Sequence, residues 1–114
     1  MIPYTNRFHG HNSLRYVYKN GQAVRSRSII IKTISNVHRK KTRIAVVISK
    51  KILKSAVGRN LIRRRIYEYT RAKLPHLNGV YDIAIIVTSG ELLTVTHEDM
   101  TDQLNQLFSQ TGML

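Results

Sequence analysis

Apolar and cationic stretches alternate along the chain, and the apolar period changes from one segment to the next. "NSLRYVYKNG" begins with the cap-type residues Asn12 and Ser13 and ends at Gly21, which predicts a short helix of about two turns. "SIIIKTI" (28–34) is β-branched and apolar and reads as a strand. After the polar connector "SNVHRKKT", "RIAVVIS" (43–49) reads as a second strand and is placed as the hairpin partner of the first. Ser55 then offers a capping hydroxyl to a helix that runs to about Lys73 and stops before Pro75. "HLNG" makes a turn and "VYDIAIIVT" a third strand, broken by Gly90. In the last segment Thr96 caps a helix whose first turn holds Glu98 and Asp99, where the helix dipole favours negative charge. Met100, Leu104, Leu107 and Phe108 fall on one face of it. The order α-β-β-α-β-α predicts an α/β (α+β) two-layer sandwich, one small sheet with helices packed against it. At 114 residues this is one domain over 1–114, with 1–11 as an expected flexible arm.

Charge changes this picture most in the stretch "SKKILKSAVGRNLIRRRIYEYTR" (49–71), where eight cationic side chains accompany one acid. At about 100° per residue, Gly58, Ile62, Ile66 and Tyr69 share one stripe, suited to a sheet. Asn60, Arg63, Arg64, Tyr67 and Arg71 fall in an arc on the far side, with Arg59 beside it and Leu61 on the flank. Basic helix faces are ordinarily just solvated surface. Here no acids alternate with the arginines to form i,i+4 pairs, so the guanidinium groups repel one another until something neutralises them. Arginine also suits bidentate phosphate contact and stacking on bases.

The charge of the whole chain is lopsided in the same sense. All 19 Lys and Arg lie between Arg7 and Lys73 against the single acid Glu68, a net +18, whereas residues 74–114 hold five acids and no Lys or Arg. The net +13 calls for a polyanionic partner. A membrane-surface helix would set large apolar anchors opposite its cations, but the chain has no Trp, and neither of its two Phe lies in the basic segment. Nucleic acid is the better match. The apolar runs are too short to span a membrane and the N-terminus lacks a secretory signal, so a soluble cytoplasmic protein is expected.

Other chemistries find little support. With no cysteine there is neither a thiolate metal cluster nor a thiol nucleophile. His9 and His11 have no nearby carboxylate to complete a metal site. "HED" at 97–99 is not HExxH, since Thr101 occupies the second His position. A nuclease working through its own two metals would need clustered acids, which the basic half lacks. Of the tyrosines, Tyr69 and Tyr81 suit packing, and Tyr18 and Tyr67 are the better contact candidates.

"SKKILKSAVGRNLIRRRI" after an apolar strand resembles the "RNR" signature of the bacterial ribonuclease P protein component. "NRFHGHNSLRYVYKNGQAVRSRSIIIKTI" is similar to that family's opening, and "YDIAIIV" with its terminal amphipathic helix to its ending. The resemblance implies a protein that joins a catalytic RNA, the two together cutting the 5′ leader from precursor tRNA by phosphodiester hydrolysis, with Mg²⁺ held mainly by the RNA. It implies one protein per RNA and no catalytic group in the protein. It assigns RNA-subunit binding to Arg59 and Asn60, followed by Arg63 and Arg64, with Lys50 and Lys51 before the helix; Lys54, Tyr67 and Arg71 complete that face. Leader binding falls to Leu14, Tyr18, Arg27, Ile30, Lys32 and Lys51, in a cleft on the sheet where an aromatic and flanking cations hold a single strand with little sequence preference. It also implies a left-handed strand-helix-strand crossover around the signature helix, against the general right-handed rule.

The chain departs from the family pattern at four of these places. Leu61 stands where the second Arg of the signature usually sits, which loses that contact or moves it to Arg65. Tyr67 replaces a common basic residue, Leu14 a typical aromatic and Lys32 a frequent aromatic. A ribosomal protein or RNA assembly factor with the same charge logic is the alternative reading.

Overall fold

The computed structural model describes residues 11–36 and 40–113. Of the expected arm only His11 falls within them, where it opens the first helix; His9 lies outside. The elements run α1 (His11–Asn20), β1 (Gln22–Arg25), β2 (Ile29–Ser35), β3 (Arg43–Val47), α2 (Ala56–Lys73), β4 (Tyr81–Val87) and α3 (His97–Thr111), with 3₁₀ turns at Leu74–His76 and Gly90–Leu93. The caps expected from the sequence are made. Ser55 Oγ accepts from the Gly58 amide at 3.0 Å and Thr96 Oγ1 from the Asp99 amide at 3.0 Å. Pro75 falls in the 3₁₀ turn that ends α2, and Gly112 closes α3 with φ at 78°, a conformation that favours glycine.

The four strands lie in the order β1-β2-β4-β3; β1–β2 and β2–β4 are antiparallel and β3–β4 parallel. This corrects one expectation and adds a strand. The strand at 43–47 is not the hairpin partner of the one at 29–35, because β4 inserts between them. The hairpin partner is β1, four residues whose single large apolar side chain, Val24, gives too short an alternation to read as a strand.

Register explains the two faces. Ile31 pairs with Ile85 and Val46 with Ile85, a row that lies buried with Ile29, Ile44, Ile83 and Val87. Met100, Leu104, Leu107 and Phe108 of α3 and Ile62, Ile66 and Tyr69 of α2 close over that face, so these two helices form one layer. Tyr69 meets Phe108 edge-on with ring centroids 5.4 Å apart, and its hydroxyl donates to Asn105 Oδ1 at 2.6 Å. Burial pushes the Tyr69 phenol up to about 12. α1 crosses the other face, where it meets β2 and β4. Its Val17 is fully buried, as is Ala84 on β4. At one end of this second face Arg43 grips Asp82 through two hydrogen bonds of 2.9 and 2.7 Å, and Asn36 donates to the same carboxylate at 2.8 Å. The pair is nearly withdrawn from solvent, the side chains 11% and 4% exposed.

Among the described residues, no helix is long and apolar enough to cross a membrane.

Candidate nucleic-acid interface

Two surfaces collect the cations that the sequence singled out. The first is the N-terminal half of α2 with the loop that leads into it. Lys50, Lys51 and Lys54 are exposed there, together with Asn60 and Arg64 on the helix; Arg63 is half-exposed and donates to Asn60 Oδ1 at 3.0 Å. Arg71, exposed further along, pairs with Glu68 at 2.9 Å. Arg59 does more than face outward. Its guanidinium donates to the carbonyls of Leu53 and Lys54 at 2.8 and 2.9 Å and so ties the lysine loop to the helix.

Two glycines let that loop sit close. A Cβ on Gly58 would come within 3.1 Å of Leu53 and 3.3 Å of Leu93, and one on Gly90 within 2.9 Å of the Ile52 carbonyl. The lysines are thereby carried on a braced segment, which lowers the ordering cost of binding a folded polyanion.

Tyr67 is corrected. The sequence placed it with the arginines, yet the structure buries it in the core, 7% exposed. The buried arc of α2 widens toward its C-terminal half, taking in Tyr67 and Thr70, whose hydroxyl donates to the Tyr67 carbonyl at 3.0 Å. A straight helical projection assumes an apolar stripe of constant width and misses this. Leu61 is half-buried, as its flank position suggests.

The second surface is the part of the α1-bearing sheet face beside that helix. Arg25, Ile30, Ile86 and Val47 form one register row across all four strands, with Ile30, Ile86 and Val47 each half-exposed and Arg25 exposed at the edge. From α1, Leu14 and Tyr18 lie half-buried toward this face. Lys32 donates to the Tyr18 carbonyl at 3.0 Å, and its ammonium lies 5.6 Å from the centre of the Tyr18 ring. Burial raises the Tyr18 phenol above its ordinary value, so the ring is a neutral donor across the physiological range. The result is an apolar floor with an aromatic wall and cations at its margins, a form that suits stacked bases and a phosphate backbone together.

The structure draws Leu14, Tyr18, Ile30 and Lys32 onto one face as expected, with Lys51 following β3. Arg27 is different. It sits in the β1–β2 turn with its Nε 2.8 Å from Glu91, which also accepts from Ser28. Its charge is answered within the chain, and Arg25 provides the cation of the groove margin. Sequence reasoning missed Arg25, Val47 and Ile86 because their shared row exists only once the strand order is known.

An α+β scaffold that turns a cationic helix face and an apolar, cation-edged groove outward presents a polyanion with complementary charge. The model of the family described as "Ribonuclease P" matches residues 2–112. Similar curated proteins include the "Ribonuclease P protein component" of Synechocystis sp., 26% identical over 113 residues and covering 99% of this chain and 90% of that one. The protein of the same description from Chloroflexus aurantiacus is 29% identical over 100 residues, covering 88% and 73%. Among solved structures, the RNase P protein of Staphylococcus aureus superposes with a TM-score of 0.85 at 24% identity, covering 95% of this chain and 96% of that one. That of Thermotoga maritima gives 0.79 at 20%, covering 91% and 96%. The chain belongs to the ribonuclease P protein family.

Proposed function

We propose that the chain is the protein subunit of a ribonuclease P in which an RNA subunit carries out the hydrolysis. The α2 face, with Lys50, Lys51, Lys54, Asn60, Arg63 and Arg64, docks on that RNA, and the groove beside α1 receives the 5′ leader of precursor tRNA. The reaction breaks the phosphodiester between leader and tRNA with water and leaves a 5′-phosphate on the tRNA. What supports this reading, beyond family membership, is one observation: the cations at the start of α2 are held outward on a braced loop, and the helix contains a single carboxylate, Glu68.

The chemical step would draw on Mg²⁺, which polarises phosphate oxygens and lowers the pKa of bound water. Among the described residues no three His, Asp or Glu side chains gather to hold such an ion, so the reading assigns it to the RNA. What this chain contributes is binding and orientation. Cations along the groove reduce the repulsion between leader and RNA subunit, and the apolar floor takes unpaired bases without demanding a sequence. One protein per RNA, acting in the cytoplasm, completes the proposal.

The test is cleavage of precursor tRNA at low Mg²⁺ by the RNA subunit alone, the protein alone and the two together. Stimulation of the RNA by an otherwise inactive protein is the expected result; cleavage by the protein alone would overturn the division of labour. In the reconstituted enzyme, Tyr18→Ala should weaken substrate binding by about 1–3 kcal/mol only when a leader is present. Equal binding of precursor and leaderless tRNA by wild type would reject the groove.

A further inference from the structure

The side of α1 turned away from the sheet carries a feature that neither surface above uses. Tyr16 is 57% exposed, one of only two large hydrophobic residues so exposed among those described. Leu14, Val17 and Tyr18 occupy the inward stripe of α1; Arg15, Tyr16, Lys19 and Asn20 lie opposite. Arg15 and Lys19 are exposed one turn apart beside the Tyr16 ring, and the Asn20 side-chain amide donates to the Tyr16 carbonyl at 3.1 Å. The four residues line a shallow hollow of about 370 Å³. No acidic residue occurs in the chain before Glu68, so the sequence around this hollow supplies no carboxylate of its own to answer the two cations.

We propose that this outer face of α1 is a second platform for single-stranded RNA, taking leader nucleotides upstream of those in the sheet groove. The inference rests on the groove reading and extends it. An exposed phenol ring beside two cations offers a base one π-face while the cations neutralise neighbouring phosphates. Position favours the leader as occupant. α1 is the wall of the groove, and a strand leaving the groove over a helix about 10 Å across arrives on this face. The hollow and the wall of the groove belong to the same ten-residue helix.

Leaders extended one nucleotide at a time separate the two platforms, with affinity measured for the reconstituted enzyme. For Tyr16→Ala, precursors with short leaders should bind as in wild type, and those with long leaders about fivefold or more weaker. Tyr16→Phe should keep the gain from the longer leader. The variant with Arg15→Gln and Lys19→Gln should reduce the salt dependence of long-leader binding alone. Because all three side chains point to solvent, helical content by circular dichroism should be unchanged. A loss of the same size at every leader length would move Tyr16 to the RNA subunit or the tRNA body and overturn the proposal, as would no loss at any length. Tyr18→Ala run in parallel distinguishes the failures: if it weakens leader binding while Tyr16→Ala does nothing, only the outer platform is rejected.

Discussion

Arg59 and Arg64 show how differently two arginines of one helix can serve. Arg64 is exposed, so Arg64→Ala should lower the salt slope of RNA-subunit binding by about one unit and leave the melting temperature in place. Arg59→Ala should cost affinity twice over, through its own charge and through release of the Leu53 and Lys54 carbonyls that it holds. Hydrogen exchange in residues 50–54 checks this: faster exchange for Arg59→Ala and none for Arg64→Ala is the expected pattern, and equal exchange in both would show that the tether does not matter. Asp82 makes the opposite point. It is the one acid placed deep in the structure, and Asp82→Ala would leave the Arg43 guanidinium buried beside the space it vacates. The expected loss is about 3–5 kcal/mol of folding stability, read by denaturant titration. The sequence could show that these residues were charged; it could not show which were bridged, because Arg43–Asp82 and Arg27–Glu91 join positions far apart in the chain.

Elements were legible where local chemistry decides them. The caps at Ser55 and Thr96, the stop at Pro75 and the apolar stripe of α3 are all set within a few residues, and each lies where its pattern puts it. Tyr67 was not legible, since its burial depends on how wide a band of α2 the neighbouring elements cover. The contact between α2 and α3 carries a further expectation. Burial raises the Tyr69 phenol to about 12 from an ordinary value of 10.0, so the folded state holds its proton more tightly than the unfolded one. The contribution is therefore full below pH 10 and is lost as pH climbs from there toward 12. Thermal melts across that window should show a steeper decline for wild type than for Tyr69→Phe, which cannot ionise. Parallel curves would mean that the phenol is not what titrates.

Across the whole molecule, composition pointed to a polyanion and the apolar segments to an α+β sandwich, but neither determined the order of strands. That order depends on pairing between segments some fifty residues apart, Ile31 with Ile85 for example. The groove inherits the same non-locality: Ile30 and Lys32 could be singled out, whereas Ile86 and Val47 join them only through the sheet. A chain ending at residue 80 tests how much rests on β4. It keeps β1, β2, β3 and α2 and should still show no cooperative unfolding transition, because β2 loses one of its two neighbours and β3 its only one. A cooperative melt of that fragment would show that the sheet does not depend on β4.

The strand that holds the others together thus follows every cationic segment of the sequence. During synthesis the residues before 81, which hold all 19 Lys and Arg of the sequence, emerge before the sheet can close. Closure therefore waits for β4, which also brings Asp82 to its pairing with Arg43.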